Sequence, residues 1–130
     1  MIVDTNVWIR HLTGDPPEQA EIAREFLTTA RRIDLPDVVV AECVWVLESV
    51  YGVERWRIAE MMRSALELAE MLFYDGTQLR ALELYETLNV AYVDAYLLAH
   101  AEWGHYGPVA TFDRELERQA QSHEVLLLGQ

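Results

Sequence analysis

Four carboxylates stand in settings where a carboxylate needs a reason to be. Asp4 closes the apolar run Met1-Ile2-Val3, and Asp113 closes Pro108-Val109-Ala110-Thr111-Phe112. Glu42 is the only charged residue between Val38 and Leu47, and Asp94 interrupts Val90-Ala91-Tyr92-Val93 and Ala95-Tyr96-Leu97-Leu98. A buried carboxylate without a partner is costly, and the Arg residues nearest Glu42 in sequence are Arg32 and Arg55. Such acids require a compensating charge, which a hard oxygen-binding cation such as Mg²⁺ or Mn²⁺ supplies. The chemistry that follows is metal-assisted hydrolysis. A bound ion lowers the pKa of water, neutralises charge developing on phosphoryl oxygens and, as one of two ions roughly 3.5–4 Å apart, holds both attacking and leaving oxygens.

Each acid also has an ordinary structural role open to it. Asp4 can end a strand, Asp113 can cap a helix, and Asp94 can be an N-cap. Glu42 lies mid-segment and is expected to face inward. Arg10 and Arg114, just beyond Asp4 and Asp113, are candidates for phosphate contact through the planar guanidinium fork, although a solvated helix charge accounts for either. His100 and His105 form no metal set, and His11 stands at the edge of the site. There is no Ser/His/Asp nucleophile context and no Gly-rich phosphate loop. Trp45, Trp56 and the Met61-Met62 pair fall in apolar helical segments, where core packing is the default and a docking groove or dimer face the alternative.

The elements that must position these acids alternate. Residues 1–4 read as a strand with Asp4 at its end. Residues 6–13 read as a short helix ended by Gly14. Asp15-Pro16-Pro17-Glu18 opens a helix to about residue 32, with Asp15 as cap and Ile22, Ala23, Phe26, Leu27 and Ala30 as its apolar stripe. Residues 33–35 form a second strand. Residues 38–51 are ambiguous: three consecutive Val favour a strand, whereas length and the Ala41-Glu42 and Leu47-Glu48 pairs favour a helix, and Asp37 can cap it. Residues 54–70 are strongly amphipathic, 71–74 read as a third strand, and Thr77 can cap a helix to Leu88 broken by Asn89. Residues 92–103 form a helix with Asp94 in its first turn, 108–112 a fourth strand, then a short helix, and 125–128 a last strand. Strands alternating with helices imply right-handed parallel crossovers. The expected architecture is an α/β chain, a three-layer α/β/α sandwich with a central, mostly parallel five-stranded sheet. In such sheets ligands sit outside the carboxyl ends of the strands, where Asp4 and Asp113 fall.

The 130 residues, 52% apolar, suit a single domain over 1–130, with no repeat or linker. No run of about 18 apolar residues occurs, so no membrane span is expected, and Asp4 follows the start too closely for a signal peptide. The single Cys43 suits a reducing cytoplasm and reads as a buried, inert thiol. The net charge of −12, with ten Arg and no Lys, argues against broad binding through the phosphate backbone. It leaves open a nucleic-acid substrate held through metal ions, and an acidic surface can receive a basic partner peptide.

Taken together, Val3-Asp4-Thr5-Asn6, Val39-Val40-Ala41-Glu42, Val93-Asp94-Ala95 and Thr111-Phe112-Asp113 closely resemble the PIN-domain ribonucleases. In order, spacing and length the chain is similar to the VapC-type toxins of bacterial and archaeal toxin–antitoxin pairs, over essentially its whole length. The resemblance implies that Asp4, Glu42, Asp94 and Asp113 are the acidic metal-binding quartet, with Thr5, Asn6 and Thr111 as supporting polar positions. It implies that residues 38–51 are helical. It further implies a Mg²⁺- or Mn²⁺-dependent endoribonuclease, an RNA substrate, a cognate antitoxin and a homodimer. Two other functions share these features. A Mg²⁺-dependent phosphatase also places an Asp after its first strand, but as a nucleophile with a second acid two residues on and a Lys nearby; Asn6 stands at that position and the chain has no Lys. A non-catalytic PIN-like module would bind RNA or protein without needing the quartet.

Overall fold

The computed structural model describes residues 1–69, 76–102, 108–121 and 123–129. The elements run α1 (Thr5–Thr13), α2 (Pro17–Thr29), α3 (Asp37–Ser49), α4 (Arg55–Leu68), α5 (Thr77–Leu88), α6 (Tyr92–Glu102), β1 (Val109–Thr111), α7 (Arg114–Gln119) and β2 (Val125–Leu127). They fall into two compact units, Met1–Phe73 and Tyr74–Gln130. The expected strand at 71–74 lies outside the described residues, as do Trp103 and His105.

In the first unit, α1 packs on α2 and α3, and α3 on α4. The ambiguous stretch 38–51 is helical through Ser49, within α3, with Val50 as its C-cap. The period of the buried positions decides this over β-branched propensity: Val40, Cys43, Val44 and Leu47 are each at most 1% exposed and share one helix face. Pro36 starts the helix, its carbonyl accepting from Val39 N–H (3.0 Å) and Val40 N–H (3.1 Å). α4 buries Ile58, Met61, Met62, Ala65 and Leu66, at the spacing its pattern predicts, together with Ala59, while Ala69, expected on the same stripe, is its half-buried C-cap. Gly14 ends α1 in the left-handed region (φ 73°) that glycine enters without steric cost. Ile2 bridges Asp34 in parallel, with Asp34 N–H donating to Met1 O at 2.8 Å.

In the second unit, α5 and α6 make the most extensive packing. Leu82, Tyr85, Ala95 and Leu98 are fully buried, and the Tyr85 and Tyr92 rings meet edge-on at 6.1 Å. Asn89 closes α5 in the left-handed conformation. β1 and β2 pair in parallel, Ala110 opposite Leu126, and α7 connects them as a helical crossover. The chain is thus α/β, and among the described residues both pairings are parallel.

Several local expectations need correction. Asp15 does not cap α2: the N-cap is Pro16, with Pro17 at the first helical position, and the Asp15 carboxylate accepts from Tyr51 Oη at 3.2 Å. Asp37 and Thr77 are first helical residues, with Pro36 and Gly76 as caps. Ile22 stands 68% exposed beside the stripe it was expected to join, and Ile2 is exposed beside buried Val3. Trp45 and Trp56 are exposed rather than core, because both project from helix faces opposite the buried stripes.

Candidate active site

Asp4 and Asp113 occupy matching local positions. Asp4 is the N-cap of α1 and Oδ1 accepts from Thr5 N–H at 2.7 Å. Asp113 is the N-cap of α7 and Oδ1 accepts from Glu115 N–H (2.9 Å) and Leu116 N–H (3.2 Å). Each thus commits one oxygen to orphan helix donors and keeps Oδ2 for another partner. Capping and ligation are therefore compatible at both acids. Thr111 Oγ1 accepts from Asp113 N–H at 3.0 Å, which holds the backbone at the exit of β1.

In the first unit, Asp4 and Glu42 come into one neighbourhood. Cys43 is fully buried, and its thiol is pushed up to about 12 by burial first, then by the charges of Glu42 and Asp4. This thiol stays protonated and unreactive. Glu42 itself faces outward. The expectation that it points inward fails because Cys43 and Val44, its neighbours, take the buried face of α3 and turn Glu42 to the other side.

The second unit brings Asp94 and Asp113 together. Asp94 lies in the first turn of α6 rather than at a cap, and is half-buried. Its carboxyl is held above the ordinary Asp value by burial first and then by the charge of Asp113. A like charge close by adds to the cost of ionising a partly desolvated carboxyl such as that of Asp94. The sequence-derived quartet thus falls as two pairs, one in each unit. Neither unit by itself gathers three Asp, Glu, His or Cys side chains into a metal-sized group among the described residues.

The supporting positions differ in state. Thr5 is 5% exposed and its Oγ1, next to Asp4, is a buried hydroxyl without a hydrogen-bond partner. Such an atom costs its desolvation unless a ligand or water completes it. Asn6 is exposed, and its carbonyl accepts from Arg10 Nη1 at 3.1 Å. Arg10 also donates through Nε to Gln19 Oε1; both partners are neutral, so its charge remains available. Arg114 is exposed at the first position of α7. His11 lies in the last turn of α1, at the end away from Asp4, with its pKa lowered by burial and then by Arg24. Sequence reasoning did not anticipate a cleft of about 510 Å³ between α1 and α2, lined by Asn6, Arg10, Gln19, Ile22 and Phe26. Its only signal was Ile22 and Phe26, four residues apart on α2.

The donor chemistry within each pair suits a hard divalent cation: the acids offer carboxylate oxygens, the contacts holding Asp4 and Asp113 are backbone N–H groups rather than cations, and an orphaned hydroxyl adjoins Asp4. Among the described residues no helix is long and apolar enough to cross a membrane. No curated protein and no solved structure matches the chain. The PIN domain family model matches residues 1–121, spanning the segments that carry all four acids. The chain belongs to the PIN-domain family, whose fold is of nuclease type.

Proposed function

We propose that the chain is a metal-dependent endoribonuclease, working on RNA phosphodiesters as the toxin of a toxin–antitoxin pair. Asp4, Glu42, Asp94 and Asp113 would together hold Mg²⁺ or Mn²⁺, with Thr5, Asn6 and Thr111 shaping the surroundings. The observation that carries this is Asp94, a half-buried carboxyl held above its ordinary value by burial and by the neighbouring charge of Asp113. Such an arrangement has a cost that a bound cation would offset. The ion, when bound, supplies an activated water and neutralises charge on the scissile phosphate.

The chain's own residues have separable tasks. The caps at Asp4 and Asp113 fix two carboxylates against helix N-termini, leaving one oxygen of each for the ion. Thr5 Oγ1, a buried hydroxyl without a partner next to Asp4, would complete its hydrogen bonding there when the site is filled. Arg10 and Arg114 would contact backbone phosphates, Arg10 from the rim of the α1–α2 cleft. The proposal includes a single PIN domain over 1–130 with a five-stranded parallel sheet, a homodimer, a cytoplasmic location and a cognate antitoxin. The charge of −12 favours a basic docking segment in that antitoxin.

The direct test is cleavage of a panel of structured RNAs with Mn²⁺, comparing wild type with Asp4→Asn. Loss of cleavage in a normally folded variant is expected. Equal cleavage by the variant, or full activity in excess chelator, would refute the function. Product analysis separates a nuclease from a phosphatase, and a basic DNA-binding protein encoded immediately upstream would support the toxin assignment.

A further inference from the structure

We propose that Trp45 is a substrate-binding residue whose indole stacks on a nucleobase of the RNA strand engaged at Glu42. This rests on the nuclease function proposed above and adds a residue that the acidic quartet does not contain. α3 turns Val40, Cys43, Val44 and Leu47 into the core. Its opposite stripe presents Val38, Glu42, Trp45 and Ser49, at spacings of four, three and four. Trp45 is 62% exposed and Val38 72%. Side chains three and four apart on a helix are neighbours, with Cβ atoms about 5–6 Å apart. Glu42 is therefore an acid flanked, one turn to either side, by an exposed aromatic and an exposed aliphatic group. An RNA strand has the same order: a phosphate, which an ion at Glu42 would engage, lies between two bases.

Electrostatics leaves the affinity for such a strand to contacts that carry no charge. A chain with net charge −12 and no Lys gains little from phosphate neutralisation and counterion release. Stacking is indifferent to net charge and tolerant of sequence, since every base has a π-face. Unpaired RNA bases are the ones free to splay onto an aromatic ring. Trp45 supplies affinity that the acidic surface withholds. Trp56 provides a contrast: it is also exposed, but its Nε1 donates to Glu54, and it sits at the start of α4, off the stripe that carries Glu42.

The test uses the full chain and a short fluorescent single-stranded oligoribonucleotide. Binding is read by anisotropy with Ca²⁺ in place of the catalytic ion, and kcat and KM are read in Mn²⁺. Trp45→Ala is expected to weaken binding and raise KM by roughly 5- to 150-fold, with kcat changed by no more than about twofold. Trp45→Phe restores most of the affinity, and Trp56→Ala leaves it unchanged. A wild type that cleaves RNA while Trp45→Ala keeps the same KM and binding overturns the stacking role alone. Trp45→Ala that alters the oligomeric state in sedimentation but not RNA affinity also overturns it, assigning this face to a second copy of the chain. A wild type that neither binds nor cleaves RNA in Mn²⁺ overturns the nuclease function and, with it, the role of Trp45.

Discussion

The pairing of Asp94 with Asp113 predicts a repulsive coupling that a double-mutant cycle can isolate. Single substitutions mix several effects. Asp94→Asn relieves the burial cost of a charge, yet removes an acid from the first turn of α6, where the helix dipole favours it by about 0.3–1 kcal/mol. Asp113→Asn keeps the cap of α7, because Asn and Asp cap about equally well. The cycle cancels these private terms and leaves the pair. Asp94 is half-buried and Asp113 exposed, so solvent screens the interaction. Exposed charge pairs are worth about 0.2–1 kcal/mol, and like charges cost similar amounts. A coupling of about 0.5 kcal/mol is expected: Asp94→Asn should be more favourable by that amount in the wild-type background than in Asp113→Asn.

The assay is urea unfolding of the four proteins in EDTA at low ionic strength, with stability taken from the midpoints at a common slope. In 1 M salt, where the Debye length is about 3 Å, the coupling should shrink toward zero. Adding Mn²⁺ should reverse its sign. An ion at a concentration a hundredfold above its dissociation constant stabilises a site by about 2.7 kcal/mol, and either substitution forfeits most of that gain. A coupling of zero at low salt would refute the electrostatic account of the pair. Equal stabilisation of all four proteins by Mn²⁺ would refute their role as ligands.

Four further outcomes are expected. Thr5→Val, which replaces an unpartnered buried hydroxyl by a methyl of the same shape, should stabilise the metal-free protein by about 1 kcal/mol in urea unfolding while lowering Mn²⁺-dependent activity. Leu47→Ala, at a fully buried position of α3, should cost about 2–5 kcal/mol, whereas Trp45→Ala, two residues earlier and exposed, should stay within about 0.5 kcal/mol in the same assay. In the second unit Arg80 clamps Glu102 with two 2.6 Å hydrogen bonds, and this contact, ahead of His123, holds the Glu102 carboxyl below its ordinary value. Because the folded value is the depressed one, that stability is full above the ordinary Glu range and is lost as pH falls through the folded value. Glu102→Gln, discounted for side chains 35% exposed, should therefore cost about 1 kcal/mol at neutral pH, and that cost should shrink progressively as pH falls below the ordinary Glu range in thermal unfolding.

Much of the helical framework was legible, and the reasons are local. Gly14 and Asn89 end their helices in the left-handed conformation that their residue types favour. The stripe of α4 appears as its spacing predicts, because five apolar residues at helical period leave a single face to bury. The failures share a cause as well. Trp45, Trp56, Ile22 and Glu42 were placed by residue type, whereas their exposure depends on which neighbours claim the core. On α3 nearly every position is apolar, so pattern alone does not orient the helix; packing on α1 and α4 does, and it selects Val40, Val44 and Leu47. Helix starts were misjudged by one position at Asp15, Asp37 and Thr77, since a Pro or Gly just outside the helix can fill the cap without a side-chain acceptor.

The candidate site shows why its ordinary and functional descriptions resisted separation in the sequence. An acid after a strand and before a helix is what a cap requires, and Asp4 and Asp113 do cap. A cap needs one acceptor oxygen and a carboxylate has two, so the same residue satisfies the helix and retains a ligand atom. The cap also orients that atom, because Oδ1 is pinned against backbone N–H groups and Oδ2 cannot rotate freely. Preorganisation of this kind lowers the cost of gathering like charges around an ion. Glu42 lacks that duality, standing mid-helix in α3 away from the helix ends; Asp94 lies past the cap in the first turn of α6, where the helix dipole favours an acid but burial beside Asp113 does not. Their presence is the feature that capping leaves unexplained, and the raised carboxyl of Asp94 beside Asp113 marks where a cation would have the most electrostatic cost to offset.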